Sequence, residues 1–249
     1  MMDTNGKRFD GQYDYASVVG MLLYFVNTCP YIHYTVYSYC YFTHCPHKSY
    51  DDTIKRICCY LIDTKDRGLV LNLDEFTLQL QCYVDADFCA LHKYEQHKDP
   101  ISSKSRTGYV IMLGSSPISW CSKLQMETAL FSTESEIVAL STCMYEILWI
   151  QRLIKDISKG FGIKIHDETL IKATVHEDNQ AAISNATKVS INNCTCHIHT
   201  KYWHFCEHLG EKTGIIIKYI KSANNLGDLF TKGTSADTYV PLCKQLMGW

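Results

Sequence analysis

The sequence predicts an α/β fold, a mixed five-stranded sheet flanked by helices, with a small helical module before it. Residues 77–85 alternate apolar and polar side chains, which is the period of a strand with one buried face. Four further segments have strand patterns, and residues 132–158 carry apolar residues at helical spacing. The order of three strands, a helix, a strand, two helices and a strand favours a mixed sheet with helices packed on it.

Composition indicates an ordinary globular protein of 249 residues, with 46% hydrophobic and 20% charged residues. The formal net charge of -2 gives no general attraction to nucleic acid, so such binding requires a local basic face. No apolar signal segment follows Met1, and the early apolar run at 20–26 is too short to span a bilayer. We therefore expect no membrane partner, an intracellular location in cytoplasm or nucleus, and thirteen mostly reduced cysteines.

The first third of the chain is expected to be helical. Residues 1–12 are polar and predict a disordered lead-in. Helical spacing runs through residues 15–43 with a break at Cys29-Pro30, and a second helix is predicted at 49–61. A short apolar run at 68–73 predicts an additional strand before the alternating segments begin.

The remaining elements follow in order. Residues 107–113 and 117–121 predict strands that a short loop joins into an antiparallel hairpin. The helix at 132–158 has an apolar face, and it precedes a strand at 169–176, helices at 179–185 and 201–212, and a strand at 214–220. That apolar face consists of Ile137, Leu140, Ile147, Leu148, Ile150, Leu153, Ile154 and Ile157. The tail at 233–249 predicts a helix packed on the domain through Val240, Leu242, Leu246 and Trp249.

Acidic residues stand where strands end and where helices begin. They are Asp85 and Asp87, Glu134 and Glu136, Asp178, and Asp228. Such positions can converge at one edge of a sheet, where several carboxylates could not all ionise without dications. Hard oxygen ligands select Mg²⁺ or Mn²⁺, and paired ions roughly 3.5 to 4 Å apart serve phosphodiester hydrolysis. The pattern therefore predicts a metal-dependent site at the tip of the first strand.

Several motifs, in order, match one family. They are Tyr83-Val-Asp-Ala-Asp-Phe88, Lys104-Ser-Arg-Thr-Gly-Tyr109, Pro117-Ile-Ser-Trp-Cys-Ser-Lys123, Ser132-Thr-Glu-Ser-Glu-Ile-Val-Ala-Leu140, Glu177-Asp-Asn-Gln-Ala-Ala-Ile183 and Leu226-Gly-Asp-Leu-Phe-Thr-Lys232. On these motifs the chain resembles the C-terminal part of the polyprotein of copia-type retrotransposons, which ends in a ribonuclease H. The resemblance implies a helical connection segment at 13–76, a ribonuclease H-like domain at 77–232 and a helical tail at 233–249.

The resemblance also implies the site residues. The family's catalytic, metal-binding carboxylates fall on Asp85, Glu136, Asp178 and Asp228. Glu134 is then a first-turn helix charge, which the helix dipole favours, and Asp87 is a neighbour of the site.

The implied reaction is endonucleolytic hydrolysis of the RNA strand of RNA-DNA hybrids, with two Mg²⁺ or Mn²⁺ ions and with Asp85 bridging both. A reverse transcriptase domain is the implied protein partner, through the linker motifs Tyr15-Ala-Ser-Val-Val-Gly-Met-Leu-Leu-Tyr24 and Tyr60-Leu-Ile-Asp-Thr-Lys65. Recognition would rest on 2′-hydroxyls and phosphates. The candidate phosphate contacts are Lys104, Arg106, Lys123, Lys201 and Lys232.

Some positions depart from the family pattern. The segment 89–99 is bulkier, His199 stands where the family usually has an acidic residue, and Trp203 is a one-residue insertion. Inside a helix, one extra residue rotates everything after it by about 100°. These departures support an alternative hypothesis, a catalytically inactive remnant that keeps the fold and binds nucleic acid or a partner.

Cysteines and histidines are dense near residue 200 and suggest a second metal hypothesis. They are Cys194, Cys196, His197, His199, His204, Cys206 and His208. Zinc takes four such ligands in a tetrahedron, but this spacing fits no standard zinc module.

Overall fold

A single sheet organises the computed structural model, which describes residues 6–72, 79–89, 103–162, 171–187, 206–210 and 213–249. Its strands lie in the order β3-β2-β1-β4-β5. Strands β1, β2 and β3 pair antiparallel, whereas β4 runs parallel to β1, and β5 parallel to β4. The strands are β1 (Leu80–Asp87), β2 (Arg106–Leu113), β3 (Ser116–Leu124), β4 (Ala173–Glu177) and β5 (Ile215–Tyr219). The predicted mixed five-stranded sheet is therefore confirmed.

Helices cover both faces of this sheet. On one face lie α4 (Ser132–Gly160) and α5 (Gln180–Thr187), where Leu140 and Ile147 join a core with Val84 and Val175. The other face carries helices from both ends of the chain, which share a second core with Val110. These helices are α1 (Tyr15–Phe25), α2 (His33–Tyr39), α3 (Lys48–Asp63), α6 (Asp228–Thr231) and α7 (Ala236–Met247).

Local sequence accounts for the helix boundaries in the first third. Asp14 caps α1, where its carboxylate accepts a hydrogen bond of 3.1 Å from the Ala16 amide. Pro30, which cannot continue a helix, lies between α1 and α2 as predicted. Residues 7–9 of the expected lead-in bond to the chain before α3, with Phe9 N 3.0 Å from the carbonyl oxygen of Pro46.

The segment 68–72 was wrongly predicted as a strand. Its amides bond individually to other elements instead: Val70 N lies 2.9 Å from the carbonyl oxygen of Met247, and Asn72 N lies 3.0 Å from Ser116 Oγ. Val70 and Leu71 are 46% and 61% exposed, so the apolar run has no covering layer that a sheet strand would need. Several predicted features lie outside the described residues. They are residue 73, most of the segment 89–99, and residues 201–205 of the predicted helix at 201–212, which include the insertion at Trp203.

The tail packs as predicted, with one exception. Leu242 and Leu246 are buried against the helices from the beginning of the chain, whereas Val240 is exposed. Helix α4 is long and apolar enough to cross a membrane by length and composition alone. A core helix passes the same test, and α4 buries Leu140, Met144 and Ile147 against the sheet.

Candidate active site

Three carboxylates from three elements meet at the end of β1. Asp85 lies near the end of that strand, opposite Gly108 of β2, and its side chain is buried. Glu136 comes from the second turn of α4, and Asp178 directly follows β4. Each of the three residues contributes one carboxylate oxygen, and these three oxygens lie within 4.8 Å of one another. The structure thus brings together three of the four predicted carboxylates in a geometry that could hold a metal ion.

Two glycines allow the fourth carboxylate to approach. A Cβ on Gly108 would lie 2.5 Å from Thr231 Cγ2 and 2.9 Å from the carbonyl carbon of Phe230. A Cβ on Gly227 would lie 2.8 Å from the carbonyl carbon of Val84. Because neither side chain exists, α6 contacts the strands directly and places Asp228 beside Asp85.

Hydrogen bonds stabilise the contact between α6 and β1. The side-chain amide of Asn225 donates to the Val84 carbonyl at 2.7 Å, and its oxygen accepts from Gly227 N at 3.0 Å. The hydroxyl of Thr231 donates to the Asp85 carboxylate. Sequence patterns give no role to Asn225, Gly227 or Thr231, although all three lie in or beside the Leu226–Lys232 motif. We define this group, with Gly108, as the α6 clasp.

Lys232 is held by carboxylates. Its Nζ lies 2.9 Å from Asp228 Oδ1 and 3.6 Å from Asp85 Oδ2. Although burial opposes it, the negative charges of Asp85 and Asp228 raise the pKa of Lys232. The ammonium group predicted to contact phosphate therefore also neutralises part of the acidic site.

The other predicted phosphate contacts differ in accessibility. Arg106 is 4% exposed, donates to Ser122 Oγ at 3.1 Å and stacks 5.3 Å from the ring centroid of Tyr34. A guanidinium so enclosed cannot reach a phosphate without rearrangement, so Arg106 is not part of the surface that a substrate would contact. Lys104 is half-buried and Lys123 is exposed, while Lys201 lies outside the described residues.

Burial governs protonation at the site. It raises the pKa of Glu136 to about 11, helped by the charges of Glu177 and Asp85. It raises the pKa of Asp228 to about 7, with a further contribution from Asp85. Burial also raises the pKa of Asp85, against the opposing charge of Lys232. Without a dication, the site therefore retains protons that free carboxyl groups would lose.

The donor set fits a hard divalent cation. Glu136 Oε2 is buried and accepts no hydrogen bond from the described residues. The converging ligands are carboxylate oxygens, which Mg²⁺ and Mn²⁺ prefer. Of the predicted zinc ligands, Cys206 and His208 are described, and the Sγ of Cys206 donates to the Ala186 carbonyl at 3.4 Å. The others lie outside the described residues, so zinc binding there stays untested.

Glu177 is an additional buried carboxyl that sequence reasoning missed. It is the last residue of β4 and is 0% exposed, and burial raises its pKa well above the usual range. Its Oε1 accepts from Asn179 N at 3.0 Å. Alternation along β4 could have placed it on the buried side with Val175. Glu134 accepts from Leu130 N at 2.7 Å, in agreement with a role at the helix start.

The raised pKa values predict a pH-dependent stability. Relative to an ordinary carboxyl pKa of about 4, folded Asp228 holds its proton up to about pH 7 and Glu136 beyond it. In this window the folded state binds more protons than the unfolded state, so the unfolding free energy in EDTA falls as pH rises from about 4. We expect a slope of roughly 1.4 kcal/mol per pH unit for each such group, measured by urea unfolding. Asp228→Asn should flatten the slope below pH 7, and an unchanged slope would contradict the assignment.

Substitution of Lys232 should expose its role in charge balance. We expect Lys232→Met to lower the metal-free unfolding free energy by about 1 kcal/mol, a small value because the lysine side chain is 38% exposed. Added Mg²⁺ should reduce the difference, since a dication neutralises the same carboxylates. Lys123→Met is the matched control on the surface of β3, and an equal loss in both variants would refute the role.

Comparison with known proteins shows which sequences this chain resembles. The chain is 28% identical over 235 residues to the retrovirus-related Pol polyprotein from transposon RE1 of Arabidopsis thaliana, across 94% of this chain. The chain is similar, across nearly its whole length, to retrovirus-related Pol polyproteins of transposons. It spans 15% of the length of that RE1 relative.

Two other similarities concern parts of this chain. Secreted RxLR effector protein 161 of Plasmopara viticola is 34% identical over 141 residues, which cover 55% of this chain and 90% of that protein. The solved structure of LC11-RNase H1, isolated from compost, has a TM-score of 0.40 at 15% identity, over 61% of this chain and 92% of that one. No protein-family model matches. The fold is therefore described from the order of its own five strands.

Proposed function

We propose that this chain is the metal-dependent ribonuclease H of a copia-type Pol polyprotein and cuts the RNA strand of RNA-DNA hybrids. The observation that carries the proposal is the convergence of Asp85, Glu136 and Asp178 within 4.8 Å. Asp228 adds a fourth carboxylate from α6, linked to Asp85 through Lys232. Four carboxylates from four elements can hold the paired ions that in-line phosphodiester hydrolysis uses.

The roles of the protein groups follow from their contacts. Two Mg²⁺ or Mn²⁺ ions would be held by the four carboxylates, Asp85, Glu136, Asp178 and Asp228. When bound, such ions would activate water and neutralise charge on the reacting phosphate. Asp85 would hold metal together with Glu136 and Asp178, whose oxygens lie within 4.8 Å of it, and it shares Lys232 with Asp228. The α6 clasp fixes this arrangement, because Thr231 orients the Asp85 carboxylate and Asn225 holds the loop before α6.

Substrate contacts would come from the surface around this site. A hybrid presents 2′-hydroxyls in a wide, shallow minor groove, and its phosphates require cations. Lys123 is exposed, Lys104 and Lys232 are partly exposed, and Lys201 stays a prediction. A reverse transcriptase domain that presents the hybrid, in cytoplasm or nucleus, completes the proposal.

One observation favours the alternative, an inactive remnant that keeps the fold. The Lys232 ammonium already lies 2.9 Å from Asp228 and 3.6 Å from Asp85, so the acidic site is partly neutralised without metal. A chain that had lost its catalysis could therefore remain folded. Such a remnant would still carry the exposed Lys123 for nucleic-acid binding.

The deciding experiment is cleavage of an end-labelled RNA paired to DNA by the purified chain, in Mg²⁺, in Mn²⁺ and in EDTA. The proposal requires internal cuts in the RNA that depend on metal, with DNA-DNA duplex and free RNA left intact. A folded chain that binds the hybrid and leaves it uncut in both metals would overturn the nuclease and support the remnant. A gel-shift assay with the same hybrid in Ca²⁺, a hard cation that binds oxygen ligands, measures binding alone. It therefore distinguishes a chain that fails to bind the hybrid from one that fails to cut it.

A further inference from the structure

A buried glutamine joins the sheet to the beginning of α4. Gln125 directly follows β3 and is 4% exposed, and its backbone N lies 2.8 Å from the carbonyl oxygen of Ser105. Its side-chain Nε2 donates two hydrogen bonds, one of 3.1 Å to Thr107 Oγ1 in β2 and one of 2.9 Å to the carbonyl oxygen of Ser135 in α4. A single side chain therefore links β2 to the first turn of α4.

The two ends of this link lie next to the converging carboxylates. Thr107 is the strand neighbour of Gly108, which pairs in register with Asp85. Ser135 is the residue before Glu136 in α4. The link therefore fixes the spacing between the part of the sheet that carries Asp85 and the helical residue that carries Glu136, at the place where their carboxylate oxygens meet.

Other contacts at this end of α4 leave its position on the sheet less well defined. The N-cap residue Phe131 makes no side-chain capping hydrogen bond. Ile137 and Leu140 pack in the core, but the burial of apolar area has no preferred direction. Glu136 Oε2 accepts no hydrogen bond from the described residues, so the position of this carboxylate depends on the backbone of α4. A group that fixes this backbone therefore also fixes the carboxylate.

Stability alone does not explain a glutamine at this position. The Ser135 carbonyl oxygen can only accept a hydrogen bond, so Nε2 of Gln125 must face it. This orientation leaves Gln125 Oε1 buried with no hydrogen-bond partner among the described residues. An unsatisfied buried polar atom lowers the free energy of unfolding, and a methionine of similar size would avoid that cost. Local exceptions of this kind are typical of functional sites.

We propose that Gln125 is a positioning residue for the acidic site. Through the Ser135 carbonyl it holds Glu136 where this carboxylate can share a divalent cation with Asp85. Metal ligands must be held within about 0.5 Å of their binding geometry, and groups that orient them typically contribute about ten- to a hundredfold in metal affinity. The inference rests on the proposed function, and it adds a residue outside the four carboxylates.

The test is Mn²⁺ binding to the full chain without nucleic acid, by electron paramagnetic resonance of the free ion and by calorimetry. Gln125→Met removes both hydrogen bonds and keeps the side-chain size, so Mn²⁺ affinity should fall about tenfold or more. The unfolding temperature should change by no more than about 4 °C.

Gln151→Met is the matched control on the same helix. Gln151 is 5% exposed, and its Nε2 also donates to a backbone carbonyl, that of Ile171. It lies fifteen residues beyond Glu136, about 22 Å along α4. This variant loses the same kind of buried link and should bind Mn²⁺ like the wild type.

The outcomes distinguish this inference from the nuclease proposal. The affinity that counts is the one that Asp85→Asn abolishes, because this variant identifies Mn²⁺ bound at the acidic site. Wild-type affinity in Gln125→Met overturns the positioning role, and so does an equal loss in Gln151→Met. Weaker binding in Gln125→Met alone, in a protein that leaves the hybrid uncut, supports the positioning role and refutes the nuclease. A wild type that binds no Mn²⁺ at millimolar concentrations overturns both.

Discussion

Asp85→Asn is expected to lower metal-dependent cleavage of the hybrid by roughly a thousandfold, about 4 kcal/mol of transition-state stabilisation. Asp85 is the carboxylate that adjoins all the others, within 4.8 Å of Glu136 and Asp178 and 3.6 Å from the lysine that holds Asp228. The amide removes a charged ligand from every one of these contacts. The measurement is the initial rate of RNA cutting in Mg²⁺ at saturating enzyme.

The same variant should not lose its fold. Asp85 is 2% exposed, and burial raises its pKa, so the charged form is disfavoured in the metal-free protein. We expect Asp85→Asn to leave the metal-free unfolding temperature equal or higher, and to reduce the increase that Mg²⁺ produces in the wild type.

A matched control lies two residues along the strand. Asp87→Asn makes the identical chemical change at the end of β1, at a residue that pairs in register with Arg106 and lies outside the converging group. Cleavage by this variant should stay within about threefold of the wild type. Equal losses in both variants would show that the effect is general to the strand and would contradict the role of Asp85.

Gly108→Ala is expected to destabilise the fold by about 2 to 3 kcal/mol and to lower cleavage strongly. The added methyl group would lie 2.5 Å from Thr231 Cγ2 and 2.9 Å from the Phe230 carbonyl carbon, so α6 must move. Movement of α6 takes Asp228 away from Asp85 and removes the Thr231 hydrogen bond. Urea unfolding and the cleavage assay measure the two effects.

Gly20→Ala is the control for this substitution. Gly20 lies inside α1, and a Cβ there would meet nothing within 4 Å. The change should therefore be neutral or stabilising by up to about 1 kcal/mol, because alanine favours helix. If Gly108→Ala were equally harmless, the direct contact of α6 with β2 could not be what positions Asp228.

Much of this architecture can be predicted from the sequence, because the strands and helices follow from the local spacing of apolar residues. The alternation through Val84 predicts β1, and the end of a strand and the start of a helix are where Asp85, Glu136 and Asp178 were expected. Their convergence depends on the strand order, which places β4 beside β1.

Other features depend on contacts between distant segments, and periodicity cannot report them. The bond from Asn225 to Val84 joins residues 141 positions apart, and Gly108 has a role only because α6 lies against it. Leu153 and Ile157 were assigned to the buried face of α4, yet they are 57% and 45% exposed. A pattern identifies an apolar residue, but only the fold shows which of two apolar surfaces it joins.

The α6 clasp also has a consequence for protein synthesis. The ribosome releases β1 with Asp85 long before it makes Asn225, Asp228 and Thr231, so the growing chain cannot close its acidic site. Nor can the early helices complete their core, because it includes Leu246 from the last helix. A stop codon or frameshift between the end of β5 and Asn225 would leave a product with all five strands and no fourth carboxylate. Loss of a short 3′ portion of the gene is therefore enough to remove Asp228 and inactivate the proposed nuclease.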